Sequence, residues 1–550
     1  MKNAAWFFCF FVFFSVSSFS LDFNDPENPE ILARSIVEAM TDEEALAQLF
    51  MFGWKEWESG PEPAITEWIK RRNLGGVKVF GWNSADTERL AQTISGFQKL
   101  SVQSRFNIPL LVATDQEGGL VRHVKGQTSQ TPGSMAIGAS GFPEDAYRSG
   151  LYIGKELRVL GINMNFAPTV DLYTNHGSVL IGPRSFGDVP ENAGLFGIAF
   201  ARGQEKAGII PTAKHFPGHG DTALDSHGVL PEINAPFDVL WERELVPYRM
   251  LAKNGVPAIM SGHIAFPQTQ SKDTPASLSP WFLQTILREK IGFNGLIITD
   301  DLMMNGAIMS AGSLSRAARQ AILAGNDVIM TSQTPALDEA VWVSLLYSVK
   351  NDEVFSSRVR ESAFRVLLVK LRYLKDENAA PLYPDLKEVR ESLPGAEGSV
   401  FFQDLAARSV TVIKNSNETL PLSVKNAGSV LLAGQNLDFF ALGKRTFDGA
   451  AAYWYTAPVN GDLMRRAQSS DTIILYLSNE EGIQVLRSFR PLGKRIIVLS
   501  VLSPALLEQA SWVDAAVAVY SDSYESLVAG FSALAGRFNP SGSLPFKLKH

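Results

Sequence analysis

GLIITDD, residues 295–301, is an apolar run of strand length closed by two adjacent carboxylates. A strand with no polar face is buried on both sides, as in a parallel sheet covered by helices. Seven further stretches have the same build: QLFMFGW (48–54), GGVKVFGWN (75–83), PLLVATD (109–115), INMNFAPTVD (162–171), IIPTAKH (209–215), PAIMSGH (257–263) and DVIMTS (327–332). Amphipathic segments such as AITEWIKRR (64–72), DTERLAQTISGFQKL (86–100) and FLQTILREK (282–290) lie between them, each long enough to cross back over a sheet. Eight such units between Gln48 and Leu374 predict an α/β fold closed as a (β/α)8 barrel, with the open doubly wound sheet as the competing arrangement. The reactive residues favour the barrel. Asp115, Asp171, His215, His263 and Asp300 sit at the carboxyl ends of their runs, and in a barrel those ends converge on one face.

Past Leu374 the composition changes. DENAAPLYPDLKEVRESLPGAEGS (376–399) is rich in proline, charge and small residues and reads as a linker. A second alternation follows: SVTVIKN (409–415), SVLLAG (429–434), DTIILYLS (471–478), RIIVLSVLS (495–503) and AAVAVYS (515–521), separated by helical segments such as SPALLEQAS and YESLVAGFSALAG. These predict a smaller α/β sandwich domain with a mostly parallel sheet. The expected division is a signal peptide over 1–20, the barrel over 21–375, a linker over 376–400 and the second domain over 401–550.

The amino end begins MKNAAWFFCFFVFF, a lysine followed by an unbroken apolar run from Ala4 to Phe14, with small residues at Ser18 and Ser20. That is the pattern of a secretory signal, and the run is shorter than the roughly 20 residues a bilayer span needs. The expectation is an exported protein, periplasmic or secreted, with an uncleaved anchor as the alternative. The single cysteine, Cys9, lies inside this run, so a processed chain has no disulfide or thiolate chemistry. A net charge of -7 and no polybasic run leave no footprint for nucleic acid or an anionic membrane surface.

KHFPGHGDTALDSHG, residues 214–228, holds three of the seven histidines. A metal site would need ligands on a rigid element, and Pro217, Gly218 and Gly220 break any helix here. A nucleophilic triad through Ser226 lacks the Gly-x-Ser-x-Gly elbow. An Asp225–His227 pair, two residues apart, projects from one face of an extended loop, where the carboxylate can orient the imidazole and raise its pKa, making a proton shuttle. The bland reading of the same pair is a solvated loop. No metal and no cofactor are expected.

ATDQEGG (113–119), INMNFAPTVD, GPRSFGD (182–188), KHFPGHGDTALDSHG, MSGHIAFP (260–267) and GFNGLIITDDLMMNGA (292–307) together resemble glycoside hydrolase family 3, and within it the β-N-acetylglucosaminidases, or β-N-acetylhexosaminidases. SVTVIKNSNETLPL (409–422) and NPSGSLPFKL (539–548) are similar to the opening and closing of that family's second domain. The resemblance implies a retaining exo-glycosidase that removes terminal non-reducing β-N-acetylglucosamine through a covalent glycosyl-enzyme, its partners being β-N-acetylglucosaminide saccharides from peptidoglycan or chitin. It implies Asp300 as nucleophile, His227 as acid/base oriented by Asp225, and Asp115, Arg184, Lys214 and His215 as sugar-binding residues. Eight positions after Asp115, where the family often has arginine, this chain has His123, preceded by Arg122; either is a candidate for binding sugar. Asp301 reads as a helix N-cap, Glu117, Asp171, His219 and His263 as buried hydrogen-bonding residues, Phe216 and Met303 as packing. The cations Lys214 and Arg184 read as suited to anionic muropeptides. LYTNHGSVLIGPRSFG (172–187) departs from the family's Asn-Pro repeat and leaves the pocket beyond the first sugar unread. The competing functions are a family 3 β-glucosidase or xylosidase, which lacks the Asp-Ser-His loop, a phosphorolytic β-N-acetylglucosaminidase, and a non-catalytic sugar-binding protein.

Overall fold

The computed structural model describes residues 21–178, 181–222, 230–423 and 425–549. The amino-terminal apolar segment with Cys9, and the Asp225–His227 pair, lie outside the described residues. Each of the eight apolar runs contains one strand: β1 (Phe50–Gly53), β2 (Gly76–Val79), β3 (Leu111–Thr114), β4 (Met164–Asn165), β5 (Ile210–Phe216), β6 (Ala258–Ser261), β7 (Leu296–Thr299) and β8 (Ile329–Thr331). They pair in chain order, all parallel, and β1 also pairs with β8. A parallel bridge from Ile298 to Val328 joins the remaining edges and closes the ring. An open doubly wound sheet would reverse its strand order and leave two edges, so this competing arrangement is excluded.

Both faces of each strand are apolar because both are covered. Met51, Leu111, Ala113, Met164, Ile210, Ala258, Met260, Leu296, Ile298 and Met330 fill the barrel interior, while Phe50, Phe52, Val77, Val79, Val112, Ala213, Ile259 and Ile297 pack outward against the helices. The helix Thr87–Ser101 shows the outer layer's logic. The Asp86 side chain accepts from the backbone N–H of Glu88 and Arg89, and Leu90, Ile94 and Phe97 bury one face. β4 is short because Pro168 has no N–H to continue the ladder. Asparagine side chains supply part of what is missing: Asn163 accepts from Val112 N at 2.8 Å, and Asn165 from Gln116 N at 2.9 Å.

The carboxyl-terminal sheet has six strands: β9 (Thr411–Asn415), β10 (Val430–Gly434), β11 (Ala451–Trp454), β12 (Thr472–Leu477), β13 (Arg495–Ser500) and β14 (Ala515–Ala518). Their order is β9-β14-β13-β12-β10-β11, parallel except for β9 against β14. The sequence reading missed β11, an edge strand with no buried residue, so it carries no apolar run to find. SPALLEQAS, read as helical, forms a 3-10 segment at Pro504–Gln509. Helix Leu386–Ser392 and the start of helix Ala396–Ser409 occupy about half of the connecting stretch.

Where the barrel closes, the fully buried Asp327 sits just before β8. Its carboxylate accepts from Arg288 at 2.6 Å, Arg358 at 2.9 Å, Ser362 at 3.2 Å and the Ile297 N–H at 2.9 Å. Removing this carboxylate leaves buried guanidinium groups without a counter-charge, a change that costs on the order of 3–5 kcal/mol. Asp327→Ala is therefore expected to lower the urea midpoint sharply, whereas Asp301→Ala, at the open end, costs less; equal midpoints for wild type and Asp327→Ala would contradict this account of the seam.

Candidate active site

The barrel's inward-facing positions step by two along each strand, and at the carboxyl end the step passes from apolar to charged. Leu111 and Ala113 lead to Asp115, Ile210 and Thr212 to Lys214, and Leu296 and Ile298 to Asp300; Gly76 leads to Lys78, which is in register with Ala113. These side chains form the floor of a cleft of about 270 Å³, joined by Arg184 from the loop after β4 and by His215.

The charges satisfy one another. Asp115 pairs with Lys78 at 2.7 Å and closely with Lys214, and His123 Nδ1 lies 3.6 Å away. Glu117 receives Arg184 in a two-point grip, Nε at 2.9 Å and Nη2 at 2.8 Å, and Lys214 Nζ at 2.6 Å. Burial alone would raise both carboxyl pKa values. The facing cations override it, holding Asp115 well below the usual range and Glu117 at about 2. Lys214 is pulled the same way: burial disfavours its charge, but Asp115 and Glu117 raise its pKa.

A second set orients the histidines. His215 Nδ1 donates to Asp171 at 2.6 Å, and Asp171 also accepts the His219 N–H at 2.7 Å. The His215 Nε2 lies toward the cleft, 3.4 Å from Arg184 Nη2. Burial lowers the pKa of His123 to about 4, and burial with the neighbouring His215 does the same to His219, so both are neutral at neutral pH. His263 accepts from Ser277 Oγ at Nδ1 and donates from Nε2 to the Asp301 carbonyl at 3.1 Å.

The two aspartates of GLIITDD have different tasks. Asp300 faces the cleft; burial opposes its ionisation, but His215, His263, the Asp301 N–H and Lys214 lower its pKa below the ordinary value. The carboxylate of Asp301 accepts from Met303 N at 2.9 Å and Ser332 N at 3.0 Å, tying β7 to β8. It caps this turn and not, as expected, a helix N-terminus: the next helix, Asn305–Ala311, has Met304 at its N-cap position, with no side-chain cap.

Asp115, Arg184, Lys214, His215, His123 and Asp300 thus come together, with Glu117, Asp171, His219 and His263 around them. Arg122 does not join them. It lies on the short strand Val121–Arg122, its Nη1 donating to the Thr128 carbonyl at 3.1 Å, while its neighbour His123 points into the cleft. Lys78 was missed by the sequence reading; its one signal is a lysine at an inward position of an apolar strand. The Asp225–His227 pair lies outside the described residues, between Thr222 and Leu230. The chain leading into it is fixed by Gly220, where a Cβ would overlap the Leu172 carbonyl oxygen, and by Asp221, whose carboxylate accepts from Arg243 at 2.6 Å. Among the described residues no group of three His, Cys, Asp or Glu side chains can hold a metal ion, and no helix is long and apolar enough to cross a membrane.

Residues 40–369 match the model of the glycosyl hydrolase family 3 N-terminal domain. The chain is similar to a protein named beta-hexosaminidase A from Pseudoalteromonas piscicida, 36% identical over 260 residues that cover 44% of this chain and 43% of that one. It is likewise 36% identical over 273 residues to a beta-hexosaminidase from Tolumonas auensis, covering 49% of this chain and 79% of the relative. Among solved structures it is similar to a glycoside hydrolase family 3 beta-N-acetylglucosaminidase from Paenibacillus sp., with a TM-score of 0.83, 27% identity, and coverage of 92% of this chain and 99% of that one.

The depressed His219 pKa sets a stability test. The folded value is about 4 against 6.5 for the free side chain, so between these values the unfolded chain takes up a proton that the folded chain refuses. Its contribution is intact above pH 6.5 and is lost as pH falls toward 4. The unfolding free energy of wild type minus that of His219→Gln is expected to drop by roughly 2–3 kcal/mol between pH 7 and pH 4.5. Denaturant titrations at the two pH values measure it, and a difference that does not move with pH would refute the assignment.

Proposed function

The chain belongs to glycosyl hydrolase family 3, and from that premise we propose that it is an exported retaining exo-glycosidase releasing terminal non-reducing β-N-acetylglucosamine. The observation that carries the reading is the placement of Asp300: an ionised carboxylate at the tip of a barrel strand, facing a cleft whose other polar groups are already paired and rigid. The beta-hexosaminidase names of the relatives support the choice of sugar.

In this reaction the sugar's hydroxyls lie over Asp115, which accepts, and Lys78, Lys214 and Arg184, which donate. An Asp300 oxygen forms a bond to the anomeric carbon as the bond to the leaving oxygen breaks and that oxygen takes a proton. Water then attacks the same carbon, losing its proton, and Asp300 departs. The proton has to come from a group able to hold it. The cation-paired Asp115 and Glu117 cannot do so near neutral pH, nor can Asp171 with its lowered pKa, and His123 and His219 are neutral. Their unsuitability accords with the role that the resemblance implies for His227, oriented by Asp225, as acid and then base.

Sequence suggested that Lys214 and Arg184 favour anionic muropeptides. Their pairing with Asp115 and Glu117 weakens that preference: each cation already has a carboxylate partner within the protein, so hydrogen-bond geometry contributes to selection alongside charge. Peptidoglycan fragments and chitooligosaccharides are therefore both candidates for substrate.

A panel of aryl β-glycosides, run with and without phosphate, is expected to show the N-acetylglucosaminide cleaved with higher kcat/KM than the glucoside and without a phosphorylated sugar product. A preference for the glucoside overturns the substrate. Trapping with a 2-fluoro glycoside followed by peptide mapping should label Asp300, and a label on Asp301 would remove it as nucleophile. His227→Ala is expected to spare glycosyl-enzyme formation from a 2,4-dinitrophenyl glycoside while slowing its breakdown by roughly 10² to 10⁴, the worth of general acid/base catalysis. Equal loss across leaving groups would make the histidine a binding residue.

A further inference from the structure

The segment from Asp171 to Asp188 carries Arg184 into the cleft, yet among its described residues there is neither a regular strand nor an α-helix, only the 3-10 turn Gly182–Arg184. What holds it comes largely from the carboxyl-terminal domain. Tyr173 Oη is 2.8 Å from Ser503 Oγ and donates to the His176 carbonyl at 3.0 Å. His176 Nδ1 lies 2.6 Å from Glu508 Oε1, which also accepts the Lys549 N–H at 2.7 Å. The His176 ring is stacked on Tyr173, with centroids 5.1 Å apart, and the edge of Phe546 meets both rings at 4.9 Å. At the other end, Asp188 N donates to the Pro545 carbonyl at 3.2 Å, and a Cβ on Gly187 would overlap that same oxygen. Beneath this contact Met135, Ala136, Ala139 and Tyr173 of the barrel share a buried cluster with Ala505, Ala518, Tyr520 and Phe546.

The braced segment reaches the cleft by short, direct steps. Ser185 Oγ donates to the Asp171 carbonyl at 2.6 Å, Tyr173 N donates to the Gly187 carbonyl at 3.0 Å, and Asn175 N donates to the Gly220 carbonyl at 3.3 Å, where the chain leads toward the Asp225–His227 pair. Arg184 lies between these anchors. A loop whose described residues form no more than the one 3-10 turn Gly182–Arg184 has many courses open to it, and only one lays the guanidinium on Glu117.

We propose that Glu508 is a positioning residue for the active site, and that the carboxyl-terminal domain serves catalysis by bracing, through Glu508, Ser503 and Phe546, the segment that presents Arg184. The proposal rests on the glycosidase reading above. Its test is the full chain's kinetics on an aryl β-N-acetylglucosaminide. Glu508→Ala is expected to lose roughly tenfold in kcat/KM, the scale of one charge-assisted hydrogen bond, mostly as a raised KM because Arg184 binds sugar and moves no proton. In an Arg184→Ala background the same substitution should cost less than about twofold, since the group it positions is gone. Glu508→Gln should recover to within about threefold of wild type, its carbonyl oxygen accepting from both the His176 ring and the Lys549 N–H as Glu508 Oε1 does. Full activity in Glu508→Ala, or an equal loss in both backgrounds as a purely structural role would give, overturns the proposal. If Glu508→Ala does not fold, Tyr173→Phe, which removes one hydroxyl and no volume, takes its place in the same cycle. An active wild type with an unaffected variant sinks the bracing alone; an inert wild type sinks the function reading and the proposal with it.

Discussion

The constraint on which the site depends is that a charge cannot be buried in this barrel unless its partner is buried with it. Lys78, Asp115, Glu117, Lys214 and Arg184 all sit where water is largely excluded, and desolvating each costs several kcal/mol. That cost is offset only because the strands end in register, so that Lys78 on β2 and Lys214 on β5 both reach the carboxylate that follows β3. The network thus ties the ring's registration to the site's chemistry. A slip of one residue in any of these strands would turn its charge into the outer apolar layer.

The same pairing sets what the cleft can do. Cations committed to Asp115 and Glu117 remain hydrogen-bond donors toward the cleft. Carboxyl groups held low by these cations cannot carry a proton near neutrality, and the buried histidines around them are neutral. Among the described residues no ion pair joins Asp300 to a cation, and its ionised form is favoured by His215, His263, the Asp301 N–H at the strand tip and Lys214.

Barrel and carboxyl-terminal domain meet on one side of this cleft, at the irregular segment after β4. Aromatic packing of Tyr173, His176 and Phe546 excludes water there, so the Glu508–His176 contact is made in a place where a hydrogen bond is strong. The link gives the second domain a mechanical path to Arg184 without placing any of its own side chains in the cleft.

Eight strands were legible in the sequence because a strand covered on both faces has to be apolar throughout, and the residues ending those runs were legible as candidates because a closed barrel gathers them at one rim. Asp300 was singled out by the likeness of its strand end to the family's, and alternation turned Asp301 away from it. What the sequence could not decide was anything set by a partner from another element. Lys78 looks like any lysine until Asp115 is seen beside it on the neighbouring strand; Arg122 and His123 are exchanged by one residue of a short hairpin; β11 is an edge strand without a buried side chain; and Glu508 acquires its partner only when the two domains pack. Local pattern determines which faces are buried. Which charges meet is decided by the tertiary fold, because ion pairing depends on distances that sequence spacing does not contain.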